Sequence, residues 1–279
     1  MAVRVLTPEE NRQMQLLELD MLRELDRVCR ANDIPYTIFG GTMLGAVRHK
    51  GFVPWDDDAD VCMLRQDYER FRACADQLDP SVCFFQDHTT DPEYRWGYGK
   101  LRRTGTSYVR VGQEHLKCKT GIFIDVFPMD DIPDAVFLQI LQDRRCFCLR
   151  KTLWSEVGRL TERNPAIRLL YKGLSRIRPE TVYRRVDKMT RRSRNDSDRR
   201  VRCLLFPATG TLYRKNSLKT RYGMPKSWFL DLDEYEFEGE RFFGTRDYDA
   251  ILKYIYGDYM KLPPEDQRVS HSPVSSFHF

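Results

Sequence analysis

The chain has 279 residues, of which 41% are hydrophobic, 12% aromatic and 31% charged, enough apolar material for one large or two modest domains. That balance excludes wholesale disorder and fibrous repeats, and no stretch approaches the ~18 consecutive apolar residues of a membrane-spanning helix. The formal net charge of +5 is uneven, because residues 144–200 hold 18 Lys/Arg against 6 Asp/Glu and the rest holds 28 against 35.

The opening MAVRVLTPEENRQMQ turns polar after six residues and lacks the apolar centre of a secretory signal, which leads us to expect a cytoplasmic protein. Thr7-Pro8-Glu9-Glu10 reads as a capping box. Met14, Leu17, Met21, Leu25 and Val28 then recur at helical spacing, and Ile34-Pro35 ends the helix. A β-prone run over 36–39 leads into Gly40-Gly41. Further strands are expected over 60–64, 82–86, 94–102 and 121–127, with a helix over 66–78. From 134 to about 194 the pattern is helical and basic, broken near Asn164-Pro165 and Arg178-Pro179, and 191–200 reads as an exposed loop. A last helix is expected around 248–256. With no internal repeat and no low-complexity linker, residues 1–279 are expected to form a single α/β (α+β, mixed-sheet) catalytic domain, with a helical segment over about 134–205.

Eight cysteines raise the question of disulfides or zinc, but none forms a CxxC pair and the closest spacing, Cys146-Phe147-Cys148, has no histidine beside it. Most stand in apolar company, so they are expected to be reduced and to pack as small hydrophobes. The basic stretch fits either a solvated helical face or a surface for an anionic partner. Nucleic acid is disfavoured, because no nucleic-acid motif accompanies the charge.

The chemistry concentrates in residues 40–60. A Gly-Gly pair after a strand is often only a turn, yet it also lets backbone N–H groups approach phosphate oxygens. Farther along come Asp56, Asp57, Asp58 and Asp60. In an extended segment Asp56, Asp58 and Asp60 share one face and Asp57 points away. Carboxylates that close repel unless a cation sits among them, and oxygen-only ligands suit Mg²⁺ or Mn²⁺. A solvated loop would not be flanked by Phe52, Val53, Pro54 and Trp55 before it and by VCML after it. A calcium loop of the EF-hand type fails because Val61 stands where glycine is required and Asp67 where glutamate is expected. A further acid, Asp125, lies alone in the apolar run GIFIDVFP, where a buried charge needs a partner. Two acids on one strand and a third from a neighbour suit a metal that organises phosphoryl or nucleotidyl transfer.

The run GGTMLGAVRHKGFVPWDDDADVCMLRQDYERF resembles the signature of the LicD family, which also includes the fukutin-related proteins. The resemblance continues through GIFIDVFPMDDIP and reaches YGDYMKLPP at 256–264, and is weakest over about 134–205. It implies a nucleotidyltransferase-like fold with flanking helices, and transfer of a phosphorylated alcohol from a CDP-activated donor to a sugar hydroxyl. In bacterial members the cargo is typically phosphocholine placed on cell-surface glycans such as teichoic acid or lipopolysaccharide; in the fukutin-related branch it is ribitol phosphate. By position, the resemblance assigns Asp58 and Asp60 as paired metal-binding acids, Asp56 as an additional acid and Asp125 as the third strand carboxylate. Gly40, Gly41 and Thr42 match the loop that meets the donor phosphates. The cysteine module of the mammalian branch has no counterpart, so only Mg²⁺ or Mn²⁺ is implied.

The expected enzyme is therefore a phosphotransferase that uses CDP-choline and releases CMP. Asp58, Asp60 and Asp125 are its catalytic acids, and Arg48, His49 and Lys100 are candidates to hold phosphate charge. The expected acceptor is a glycan or its lipid-linked precursor, reached by peripheral contact of the basic 144–200 stretch with the inner face of the membrane. Tyr94, Trp96 and Tyr98, at period two on the expected strand, offer one wall of an aromatic cage for choline. The competing readings are another CDP-activated alcohol (ribitol or glycerol phosphate), a nucleotide as cargo, or a non-catalytic glycan-binding relative.

Overall fold

Residues 4–192, 200–206, 223–268 and 273–279 are described by a computed structural model. The expected 191–200 loop falls largely outside these residues. Helix α1 (Pro8–Ala31) begins with the capping box read from the sequence: the Thr7 hydroxyl accepts from the Glu10 N–H, and the Glu10 carboxylate accepts from the Thr7 N–H. Of its apolar stripe Met14, Met21, Leu25 and Val28 are fully buried, with Leu22 beside them, and Leu17 is partly buried.

That stripe covers one face of a mixed sheet built from β1 (Thr37–Ile38), β2 (Ala59–Leu64), β3 (Cys83–Gln86), β4 (Gly99–Arg103) and the long β6 (Phe123–Ile132), in the order β1-β2-β6-β4-β3. β2 and β6 run parallel, while β4 lies antiparallel to β6. Beyond β4, the far end of β6 pairs with β7 (Arg200–Arg202), which pairs with β8 (Met224–Pro225). Alternation along the strands divides the two faces. Val61, Met63, Leu101, Ile124 and Val126 share a core with α1, whereas Cys62, Phe127 and Met129 pack on the other face with Ile251 of the final helix.

Two small antiparallel pairs complete the β structure. β5 (Ser107–Arg110) takes β11 (Val274–His278), and β9 (Leu232–Phe237) forms a hairpin with β10 (Glu240–Thr245). The hairpin is tied to α1 by ion pairs from Arg12 to Glu238, Arg23 to Glu240 and Arg30 to Glu234. The helical segment comprises α4 (Val136–Leu153), α5 (Ser155–Thr161), α6 (Pro165–Leu174) and α7 (Pro179–Arg192), following α2 (Gly40–His49) and α3 (Arg65–Ala73). The expected breaks are present: Asn164 caps α6 by accepting from Ala166 and Ile167, and Pro165 and Pro179 each open a helix. α8 (Tyr248–Tyr256) spans the residues expected.

Three local expectations need correction. The strand expected over 94–102 begins only at Gly99, so Tyr94, Trp96 and Tyr98 do not form a period-two wall. Tyr94 is instead fully buried and donates its hydroxyl to the Tyr98 carbonyl. Gly40, Gly41 and Thr42 form the first turn of α2 rather than a loop. The extended run of β2 starts at Ala59, so strict alternation does not reach back to Asp57. The eight cysteines are free thiols, as expected.

Candidate active site

Strand register brings the site together. Asp60 on β2 pairs with Asp125 on β6, and Asp125 pairs on its other side with Lys100 on β4. These side chains therefore form a row across three adjacent strands, on the face opposite α1. Asp58 lies just ahead of β2, and one oxygen from each of Asp58, Asp60 and Asp125 lies within 4.8 Å of the others. Asp56, Asp57 and Asp58 form a second such group, so Asp57 does not point away as its place in an extended strand suggested.

The glycine pair explains how a helix comes so close to these acids. Gly40 has a φ of 54°, in the left-handed region, and a Cβ there would stand 2.8 Å from an Asp60 carboxylate oxygen. A Cβ on Gly41 would stand 2.1 Å from an Asp56 oxygen, nearer than atoms can pack. The N-cap, Phe39, offers no side-chain oxygen to the helix. Its carbonyl takes the N–H groups of Thr42 and Met43, leaving those of Gly40 and Gly41 without an acceptor among the described residues. Such a helix start suits an anion. Thr42 braces the strand instead, since its hydroxyl accepts from the Asp60 N–H at 2.7 Å and fixes the start of β2 to α2.

Electrostatic crowding is severe. Burial, followed by the neighbouring carboxylates, holds Asp56 and Asp60 well above the usual carboxylate range and pushes Asp58 up to about 6. Three or more acids in this state fit a divalent cation by the chemistry of their oxygen donors. Lys100 donates to Asp125 and lies 3.4 Å from the centroid of the Phe123 ring. Burial lowers its ammonium to about 8 despite that carboxylate. Arg48 and His49 sit a full helix length from the glycines, but the Arg48 side chain returns to a cleft of about 430 Å³ that also holds Gly41, Asp56 and Lys261. The Arg48 guanidinium donates to the Tyr259 carbonyl at 2.7 Å. His49 packs edge-on against Trp55, which lines that cleft, and does not line it itself.

Asn11, Gln15, Glu18 and Arg110 carry no local signature in the sequence, whereas Tyr256 opens the YGDYMKLPP run. Asn11 and Gln15, one turn apart on α1, donate to the carbonyls of Pro54, Val53 and Asp56 at 3.0–3.2 Å and hold the acidic turn in place. Glu18, one turn farther, is 1% exposed. Burial and then Asp58, Asp57, Asp56 and Asp60 drive its carboxyl well above the ordinary range. Arg110 of β5 lies 3.9 Å from Asp58. Tyr256 borders both the polar cleft and an apolar cavity of about 380 Å³ on the other side of Gly40. Phe39, Phe127 and Phe206 wall that cavity, and Asp60 reaches it. The recurrence of Asn11, Gln15 and Glu18 on the buried side of α1 is the one cue that reading the sequence passed over.

Comparison with known proteins adds a family resemblance. The family model described as LicD/FKTN/FKRP, nucleotidyltransferase domain, matches residues 33–153, which contain Asp56, Asp57, Asp58, Asp60 and Asp125. The chain is 28% identical over 273 residues to the lipopolysaccharide cholinephosphotransferase LicD of Haemophilus influenzae, covering 93% of this chain and 95% of that protein. An uncharacterized protein of Rickettsia prowazekii is 40% identical over 117 residues, or 42% of this chain and 40% of its own length. One from Rickettsia typhi is 35% identical over 69 residues, or 25% and 22%.

Proposed function

We propose that the protein, whose residues 33–153 match the family model LicD/FKTN/FKRP, nucleotidyltransferase domain, transfers phosphocholine from CDP-choline to a hydroxyl of a cell-surface glycan or its lipid-linked precursor. One observation carries the reading most: Asp58, Asp60 and Asp125 converge beside a glycine-opened helix start, within a chain similar to a lipopolysaccharide cholinephosphotransferase along nearly its whole length. We place the work of the enzyme at the inner face of the membrane.

Asp58, Asp60 and Asp125, with Asp56 behind them, would hold Mg²⁺ or Mn²⁺. When bound, such an ion neutralises phosphate charge and makes the phosphorus a better electrophile. The diphosphate lies against the free N–H groups of Gly40 and Gly41, with Arg48 and Lys261 in the adjoining cleft to balance its charge. The trimethylammonium group occupies the aromatic-walled cavity, where the rings of Phe39, Phe127 and Phe206 suit a cation that has no proton to donate. The acceptor oxygen forms a bond to the phosphorus that carries choline. The bond from that phosphorus to the bridging oxygen breaks, and CMP leaves with the bonding pair. The acceptor proton passes to a carboxylate. We assign it to Asp58, whose side chain keeps 31% of its surface exposed and so stays reachable by an incoming hydroxyl. Lys100 keeps Asp125 in place and lends positive charge from the β4 end of the row.

The test is transfer of choline-methyl radiolabel from CDP-choline to a bacterial glycolipid extract with Mg²⁺ present. The reading predicts label in the glycolipid and CMP in equal amount. Transfer only from CDP-glycerol or CDP-ribitol would keep the site chemistry and replace the cargo; no transfer from any CDP-alcohol would overturn it.

A further inference from the structure

The charge of the helical segment leaves open which surface meets a membrane and by what contacts. A groove of about 510 Å³ between α4 and α7 is rimmed by Arg144, Arg145, Arg185 and Lys188 and floored by Cys148, Leu149 and Met189. None of these four cations has an ion-pair partner among the described residues, although acids pair with basic residues over much of the molecule. The groove does not end at its charged rim. At helical spacing, Phe137, Leu141, Arg144 and Cys148 share one face of α4, and Phe137 and Leu141 are 74% and 36% exposed.

A second observation comes from α6. Only Tyr171 of this helix is buried, so Ile167, Leu169 and Leu170 stand 42%, 70% and 59% exposed. Arg163, Arg168 and Lys172 flank them and are exposed as well. An apolar stripe bordered by basic side chains is the pattern of a helix lying in the headgroup layer of a bilayer. The same pattern argues against a second copy of this chain, because a self-complementary contact would set four unpaired cations against their own images. Nucleic acid would use the charge but not an aliphatic stripe.

We propose that the α4–α7 groove binds the headgroup phosphate of an anionic phospholipid and seats the protein on an anionic bilayer, with the exposed apolar residues of α4 and α6 entering the interface. This rests on the membrane-side part of the proposed function and orients it: the α4–α7 segment faces the lipid. Each basic residue near an anionic surface strengthens partitioning roughly fivefold at low salt.

The test is co-sedimentation of the full chain with vesicles of phosphatidylcholine alone and of phosphatidylcholine mixed with phosphatidylglycerol, at low and high salt. The proposal expects binding only to the mixed vesicles. It expects a loss of at least about tenfold in R144Q/R145Q/R185Q/K188Q, and loss of the salt-resistant remainder in F137Q/L141Q. Equal binding to both vesicles, no binding to either, or wild-type binding by the fourfold variant would overturn it. Self-association in gel filtration that the fourfold variant abolishes would assign the face to a second copy and overturn it too. CDP-choline binding, measured on the same preparations, separates the two ideas: its retention without vesicle binding removes only the membrane surface, and its absence with vesicle binding removes only the transferase reading.

Discussion

Asp125 and Asp130 lie on the same strand and are both buried, yet they are held in opposite ways. Asp130 accepts two hydrogen bonds from Arg65, at 2.6 and 2.9 Å, and is a satisfied internal ion pair. Asp125 shares one lysine with a field of other carboxylates. We therefore expect Asp60→Asn and Asp125→Asn each to lower turnover at least about a hundredfold, the scale of losing an electrostatic group at a transfer site, with circular dichroism unchanged. Activity within tenfold of wild type in both would reject the assignment. Titration supplies a second check. A carboxyl whose pKa is higher folded than unfolded stabilises the fold fully below its ordinary value and loses that contribution as pH rises through the folded value. Asp58 moves from 3.8 to about 6, and Asp56 and Asp60 shift in the same direction. In chelator, Tm should thus fall between pH 5 and pH 7.5, and Mg²⁺ or Mn²⁺ should restore it most at the higher pH. A Tm unaffected by metal across that range would contradict a cation site here.

At the scale of elements, α1 is more than a cover for the sheet. Asn11 and Gln15 supply the donors that fix the carbonyls of the acidic turn, and Glu238 of the β9–β10 hairpin accepts from the Phe52 N–H while bound by Arg12. Removing both amides in Asn11→Ala/Gln15→Ala leaves part-buried carbonyls without these partners, at a cost of about 1–3 kcal/mol each. We expect a lower Tm together with weaker metal affinity by calorimetry. A lower Tm with unchanged metal affinity would mean that the amides support the fold but do not set the acids. These contacts explain the limits of sequence reading. The capping box and the α8 span are encoded locally and present as read, and the acids lie together, although Asp57 joins Asp56 and Asp58 instead of pointing away. Asn11, Gln15 and Glu18 look like ordinary polar positions of an amphipathic helix, and only its packing against residues 53–58 gives them a role. The strand expected at Tyr94 failed for a related reason. Aromatic alternation suggested a strand, whereas Tyr94 is anchored by its hydroxyl to the Tyr98 carbonyl and Gly97 leaves the space in which Leu205 packs.

Across the whole molecule, segments far apart in sequence meet around Gly40 and Gly41. Phe39, Phe127, Phe206 and Tyr256 come from four separate stretches, and Tyr256 divides the apolar cavity from the polar cleft. The family match ends at residue 153, yet Tyr256 and Lys261, about a hundred residues beyond it, line the polar cleft of the site. If the apolar cavity holds the choline end, Phe206→Ala should weaken CDP-choline binding at least about fivefold, as expected for the loss of an aromatic face from a cation, and leave CMP binding unchanged. Equal weakening of both would place the nucleotide there instead.

The most direct measurement is calorimetric titration of the protein with CDP-choline, CDP-glycerol, CDP-ribitol and CTP, each with and without Mg²⁺. We expect CDP-choline to bind best, only with metal, and not to bind Asp60→Asn. Metal-independent binding, or no binding of any CDP-alcohol with metal present, would contradict a cation-organised phosphocholine transferase.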